Sequence, residues 1–258
     1  MNINDKITLE ENGFGNFNKE MIAMLINSVM EFFANLGVES EKKIVIIHND
    51  GDPECCASSI FNTHIIKLSS KDDFWCQWIY QFAHEFCHHI IDGKLTGETA
   101  GLMWLEESLC HIASYVCLDQ FSKLCASRDD LRGYSTSVVC YLLKYLTVYD
   151  GNSFKTDIPC DNSFDLSNHI SQNNYELLQP YIKEKWNILT SIYSMDDYKF
   201  IARALFQHFY NNKNLWKILP FLGDMRQWAE TKDLYEHLKS KATDDYLQSL
   251  EEIFACLM

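Results

Sequence analysis

A chain of 258 residues with 47% hydrophobic content can bury a core of its own, as one large domain or two closely packed ones. A formal net charge of -14 repels phosphate backbones and anionic lipid surfaces, so neither nucleic acid nor membrane is an expected partner. Ten scattered cysteines, only Cys55 and Cys56 adjacent and no CxxC pair among them, fit neither a disulfide framework nor a thiolate zinc site.

The first residues carry no basic start followed by an apolar run, and no stretch holds eighteen apolar residues without a charge. A cytoplasmic protein with reduced thiols is expected. Apolar residues at helical spacing over 18–37, stopped by Gly37, predict an amphipathic helix, and residues 1–40 are expected to form an N-terminal helical segment. Four consecutive β-branched residues, Ile44 to Ile47, predict a buried strand over 42–50. "GDPECCASS" reads as a turn or loop, and "IFNTHIIKLS", 60–69, as a second strand.

From Asp72 to about Asp92 the pattern turns helical, and Asp92 with Gly93 is the expected stop. A second helix should run from near Gly101 through "LMWLEESLCHIASYVCLDQF", and a third over 134–146. The polar stretch 151–174 is the best boundary candidate, and 175–258 reads as several further helices.

Inside the helix of residues 72–92 lies "HEFCH", His84 to His88. Residues i and i+4 share a helix face, so His84 and His88 can direct two imidazoles at one ion while Glu85 reaches a water bound beside it. A catalytic zinc needs one more protein ligand and an open position. Nearby candidates are His89, Asp92, Glu98, Glu106, Glu107 and His111. Neither glycine nor histidine stands where the extended HExxHxxGxxH pattern needs it, which excludes a metzincin. Glu107 follows His88 after eighteen intervening residues, on the next predicted helix, and an antiparallel helix pair can bring such a carboxylate opposite two histidines. Neighbours on a helix diverge by about 100°, so only one of Glu106 and Glu107 should face the pair.

"WLEESLCHIASY", 104–115, with that gap, resembles the third-ligand stretch of the gluzincin metallopeptidases, the thermolysin and aminopeptidase clan. The resemblance covers roughly residues 42–148. It implies an α+β fold with a zincin-like catalytic core over 41–150, and it selects His84, His88 and Glu107 as Zn2+ ligands and Glu85 as general base. It further implies a downstream hydroxyl at the oxyanion, for which Tyr134 is best placed by order and Tyr115 and Tyr141 are rivals. Glu106 and Ser108 depart from the family's usual Asn or Ser and Gly, so substrate contacts at that turn do not carry over. The second strand, 60–69, would be the edge along which an extended peptide or protein substrate lies. The Gly-x-Met-Glu-Asn element of the clan's aminopeptidases is missing, so an endopeptidase is expected. The alternatives are a gluzincin-fold zinc-binding or regulatory protein without turnover, and a metal-free helical interaction protein. His111 replaces the acid usual one turn beyond the third ligand, and its role is left open. Blander readings stand beside these: two partly buried histidines, a solvated Glu107, and a Tyr134 satisfied locally at a helix start.

Overall fold

The structure, a computed structural model, describes residues 1–58, 62–92, 102–146, 177–191, 193–227 and 230–258. Its architecture is α+β, mostly helical, with one small mixed sheet. The predicted linker 151–174 and Glu98 lie outside the described residues.

The sheet is built from β1 (Ile7–Leu9), β2 (Lys43–His48), β3 (Glu54–Ser58) and β4 (Thr63–Leu68), in the order β1-β2-β4-β3. β1 and β4 flank β2 in parallel, and β3 closes the far side antiparallel to β4. Ile44 and Ile46 of β2 pair with His64 and Ile66 of β4, and all four are buried on the face covered by helices. Residues between them, such as Val45 and Ile65, are half-buried, giving the period-two alternation of a sheet with one covered face.

Two expectations are corrected here. "ECCAS" is a strand and not a loop, because it folds back along β4 and takes that strand's free hydrogen-bonding side. In consequence β4 is interior, with β2 and β3 as neighbours, and cannot be the edge expected to accept a peptide. β3 is the edge on that side and β1 the edge on the other, with no strand beyond either among the described residues. The segment before residue 18 also contributes β1 to the same sheet.

α1 (Lys19–Ala34) starts where the Asn18 side chain accepts from the Met21 amide, and the chain turns away from it at Gly37, φ 71°. α2 (Trp75–Ile91) ends on Asp92 in the left-handed conformation, whose amide donates to the His88 carbonyl. α3 (Met103–Ser127) follows, then a 3-10 turn (Arg132–Tyr134) and α4 (Ser135–Leu146). Beyond the boundary come α5 (Leu178–Leu189), α6 (Met195–Asn211), a 3-10 stretch (Lys213–Gln227), α7 (Thr231–Lys241) and α8 (Asp244–Leu257). Pro220 stands inside the 3-10 stretch, where its missing N–H and ring would break an α-helix.

α2 and α3 form the centre of the molecule. Every residue of α2 from Gln81 to Ile91 is buried, and every residue of α3 from Trp104 to Asp119. Ala83, Cys87, Cys110 and Ser114 are small, so the two helices approach closely, and Ser114 Oγ donates across to the Tyr80 carbonyl at 2.7 Å. α6 runs alongside α3: Ser108 Oγ donates to the Tyr198 carbonyl at 3.1 Å, and Tyr115 packs on Phe206. The C-terminal helices are therefore built onto the core. No helix among the described residues is long and apolar enough to cross a membrane.

The 3-10 stretch closes on the end of α2 so tightly that a Cβ placed on Gly223 would stand 2.5 Å from the Ile91 carbonyl oxygen. Gly223→Ala is expected to cost about 1–3 kcal/mol through overpacking. Denaturant unfolding followed by circular dichroism measures this, and an unchanged midpoint would mean that the 3-10 stretch yields without loss.

Candidate metal centre

One turn apart on α2, His84 and His88 have ring centroids 5.0 Å from each other. Glu107 reaches both from α3, with Oε2 3.2 Å from His84 Nε2 and Oε1 3.6 Å from His88 Nε2. Glu106 takes the other side of the same ring, accepting from His88 Nδ1 at 2.8 Å. The expectation that only one of these neighbours can face the pair is thus corrected. Both carboxylates reach His88, at opposite nitrogens, because the imidazole is wide enough to meet two directions of the helix at once. Glu106 fixes the tautomer and orientation that turn Nε2 toward Glu107.

All of these groups are buried. Burial pushes the His88 imidazolium down, but Glu107 and Glu106 outweigh it and hold the group well above its usual value. Burial likewise raises Glu107, and the His88 and His84 charges overcome it and leave the carboxyl well below the usual range. Glu85, 3% exposed, is raised by burial against the opposing pull of His84 and His88. It is therefore a stronger base than a solvated glutamate.

Two sets of three donor atoms lie within 4.8 Å of one another and could hold a metal ion: His84, His88 and Cys110, and His84, Glu107 and His111. Local bonding separates their members. Cys110 is fully buried beside Cys87, and burial pushes its thiol well up. His111 has both ring nitrogens engaged, Nδ1 with the Tyr80 hydroxyl at 2.9 Å and Nε2 with Met195 Sδ at 3.0 Å. Burial holds it neutral. Glu107 Oε2 is different: it is buried without a hydrogen bond, since its alignment on His84 falls short of one. A buried carboxylate oxygen that lies beside an imidazole without bonding it fits a divalent cation.

His64 and His89 form a second buried pair, Nδ1 to Nδ1 at 3.0 Å, on the sheet side of α2. Lys42 and Asp92 lie against His64, so this pair and Asp92 are tied to each other and not to the first cluster. The structure does not bring Tyr134 to the candidate centre. It is 47% exposed and packs on Trp75, ring centroids 4.4 Å apart, nine residues before His84 or about 13 Å along the helix axis. Tyr115 is buried between Tyr145 and Phe206, and the Tyr141 hydroxyl accepts from Tyr145. A residue that sequence reasoning missed, Tyr193, approaches the cluster through Met195: its hydroxyl lies 4.0 Å from Met195 Sδ, which meets His111 Nε2 at 3.0 Å. Its phenol is raised by burial and by the Glu107 carboxylate, and it also lies within electrostatic reach of His88 and Glu85. It belongs to "SIYSMDDY", beyond the expected boundary, and nothing local marks it.

Compared with known proteins, the chain matches no protein-family model, no curated protein and no solved structure. The gluzincin resemblance rests on the motif residues alone.

Because the raised His88 holds its proton near neutrality, a metal taking Nε2 must displace it, so affinity should rise with pH and fall as His88 is driven to its charged form. Calorimetric titration of zinc in two buffers of different ionisation heat should show proton release, and equal heats would mean that His88 is neutral beforehand. Glu107→Gln should weaken zinc more than Glu106→Gln, and the latter by about 10- to 100-fold as an orienting group.

Proposed function

We propose that the protein is a zinc-dependent metallopeptidase of zincin-like build, cleaving within peptide chains, with His84, His88 and Glu107 as metal ligands. One observation carries this reading: Glu85, buried and of raised basicity, follows His84 on α2 within electrostatic reach of both imidazoles, whose Nε2 atoms a single carboxylate spans. Zinc bound there would supply a Lewis acid that brings the pKa of a bound water to about 7. Glu85 takes the proton of the attacking water and delivers it to the leaving amine. Tyr193, whose hydroxyl lies 4.0 Å from Met195 Sδ on the His111 side of the cluster, donates its O–H toward the carbonyl oxygen as negative charge gathers there.

The edge strand β3 suits an extended peptide, which would pair with its free side. β3 packs on α2, with Cys55 Sγ 3.8 Å from His64 Nδ1, which in turn meets His89 of that helix. Ser108, where the family usually has Gly, binds the Trp104 and Tyr198 carbonyls and so serves the joint with α6.

Glu85→Gln keeps both imidazoles and removes the base, so zinc content should stay at wild-type level while hydrolysis of an unstructured protein such as casein falls by at least about 10²-fold. Equal rates in the two proteins would overturn the general base, and no hydrolysis by wild type would favour a zinc-holding protein without turnover. Tyr193→Phe should lower kcat by about 10- to 10³-fold with little change in KM, as loss of an oxyanion donor does. Tyr134→Phe should leave both constants unchanged.

A further inference from the structure

His111 faces the cluster from α3 and takes no part in the ligand set argued above. A thioether has no proton to give, so the 3.0 Å contact between His111 Nε2 and Met195 Sδ requires Nε2 to be the donor. A neutral ring then leaves Nδ1 as acceptor, and Tyr80 O–H donates to it at 2.9 Å. Both nitrogens are spent, and the His84 ring, 4.7 Å away, keeps a buried Nδ1 with no partner. His111 does not serve as the acceptor that would orient His84.

Its bond leads elsewhere. Met195 opens α6, and its sulfur is also the acceptor nearest the Tyr193 hydroxyl, at 4.0 Å. Ser194 lies between them as the residue that precedes the helix, so the turn 193–195 is gripped at Met195. Tyr193 itself is 50% exposed, and its ring meets only the edge of Tyr198 at 5.3 Å. A half-exposed phenol with so little packing would visit several rotamers unless its backbone were fixed.

We propose that His111 is a positioning residue: through its Nε2–H bond to Met195 it fixes the turn that carries Tyr193 beside His111, whose ring lies 4.7 Å from that of His84. This rests on the reading of Tyr193 as the hydroxyl that meets the substrate carbonyl. The residue one turn beyond Glu107 thus acts on a side chain from α6 and not on a metal ligand.

The test places 3-fluorotyrosine at position 193 of the full chain and follows its fluorine resonance, with and without zinc. Wild type should give one narrow line that shifts on zinc binding. His111→Phe, which keeps a ring but no donor, and Met195→Leu, which keeps volume but no acceptor, should both move the line toward that of free fluorotyrosine. His111→Gln restores an N–H donor and should return the line toward wild type, a rescue that general damage to packing would not give. Zinc affinity should stay within about threefold of wild type in all three, against the 10- to 100-fold loss typical of a group that orients a ligand. A loss of that size in His111→Phe would make His111 part of the metal site and overturn the proposal. So would an unchanged fluorine line in both His111→Phe and Met195→Leu. Should wild type cleave no peptide, the proposed activity fails while the fluorine and zinc measurements still decide the role of His111.

Discussion

The fold is organised around a contact that would be costly if any member were missing: two carboxylates of α3 meeting two imidazoles of α2 in an interface closed to water. A carboxylate buried without a partner is driven to protonate or to unfold its surroundings. Here Glu106 has His88 Nδ1, and Glu107 spans both Nε2 atoms. A proton on His88 offsets one of the two negative charges, and a divalent cation would offset both. The burial that makes the charges expensive also makes them chemically useful, because Glu85 gains basicity from the same exclusion of water.

That contact in turn requires α2 and α3 to be close and covered. Small residues at their crossing allow the approach, and the sheet, α1, α6 and the 3-10 stretch supply the cover. The cysteines take part as compact apolar side chains: Cys87, Cys110 and Cys117 are buried among the central helices, with thiols raised by burial in the case of Cys110 and Cys117.

What the sequence revealed and what it hid divide along physical lines. Local pattern made α1, α2, β2 and β4 readable, and i,i+4 spacing made the histidine pair readable with them, whereas α3, buried on every side from Trp104 to Asp119, has no such periodicity. β3 was hidden because Glu54, Cys55, Cys56, Ala57 and Ser58 have weak strand preference and follow Pro53. They are a strand because β4 offers hydrogen bonds to a chain folding back on it. β1, three residues long, has too little pattern to announce itself. Tyr134 was chosen by order along the chain, yet α3 is 25 residues long and carries the following turn to the far end of α2. Tyr193 could not be found by any local rule, since a residue 86 positions after Glu107 reaches it only through the docking of α6.

The parallel seam of α3 and α6 bears on how this protein could be divided. A fragment ending at residue 150 would hold every residue of the HExxH motif and Glu107, and by motif boundaries it would look whole. It would also present Ser108, His111 and Tyr115 to water on a helix that has no polar face between Trp104 and Asp119. Such a fragment would expose the side of α3 that α6 covers and would lack Tyr193. The smallest working unit of this architecture therefore extends through α6, and a search for shorter versions should keep that helix.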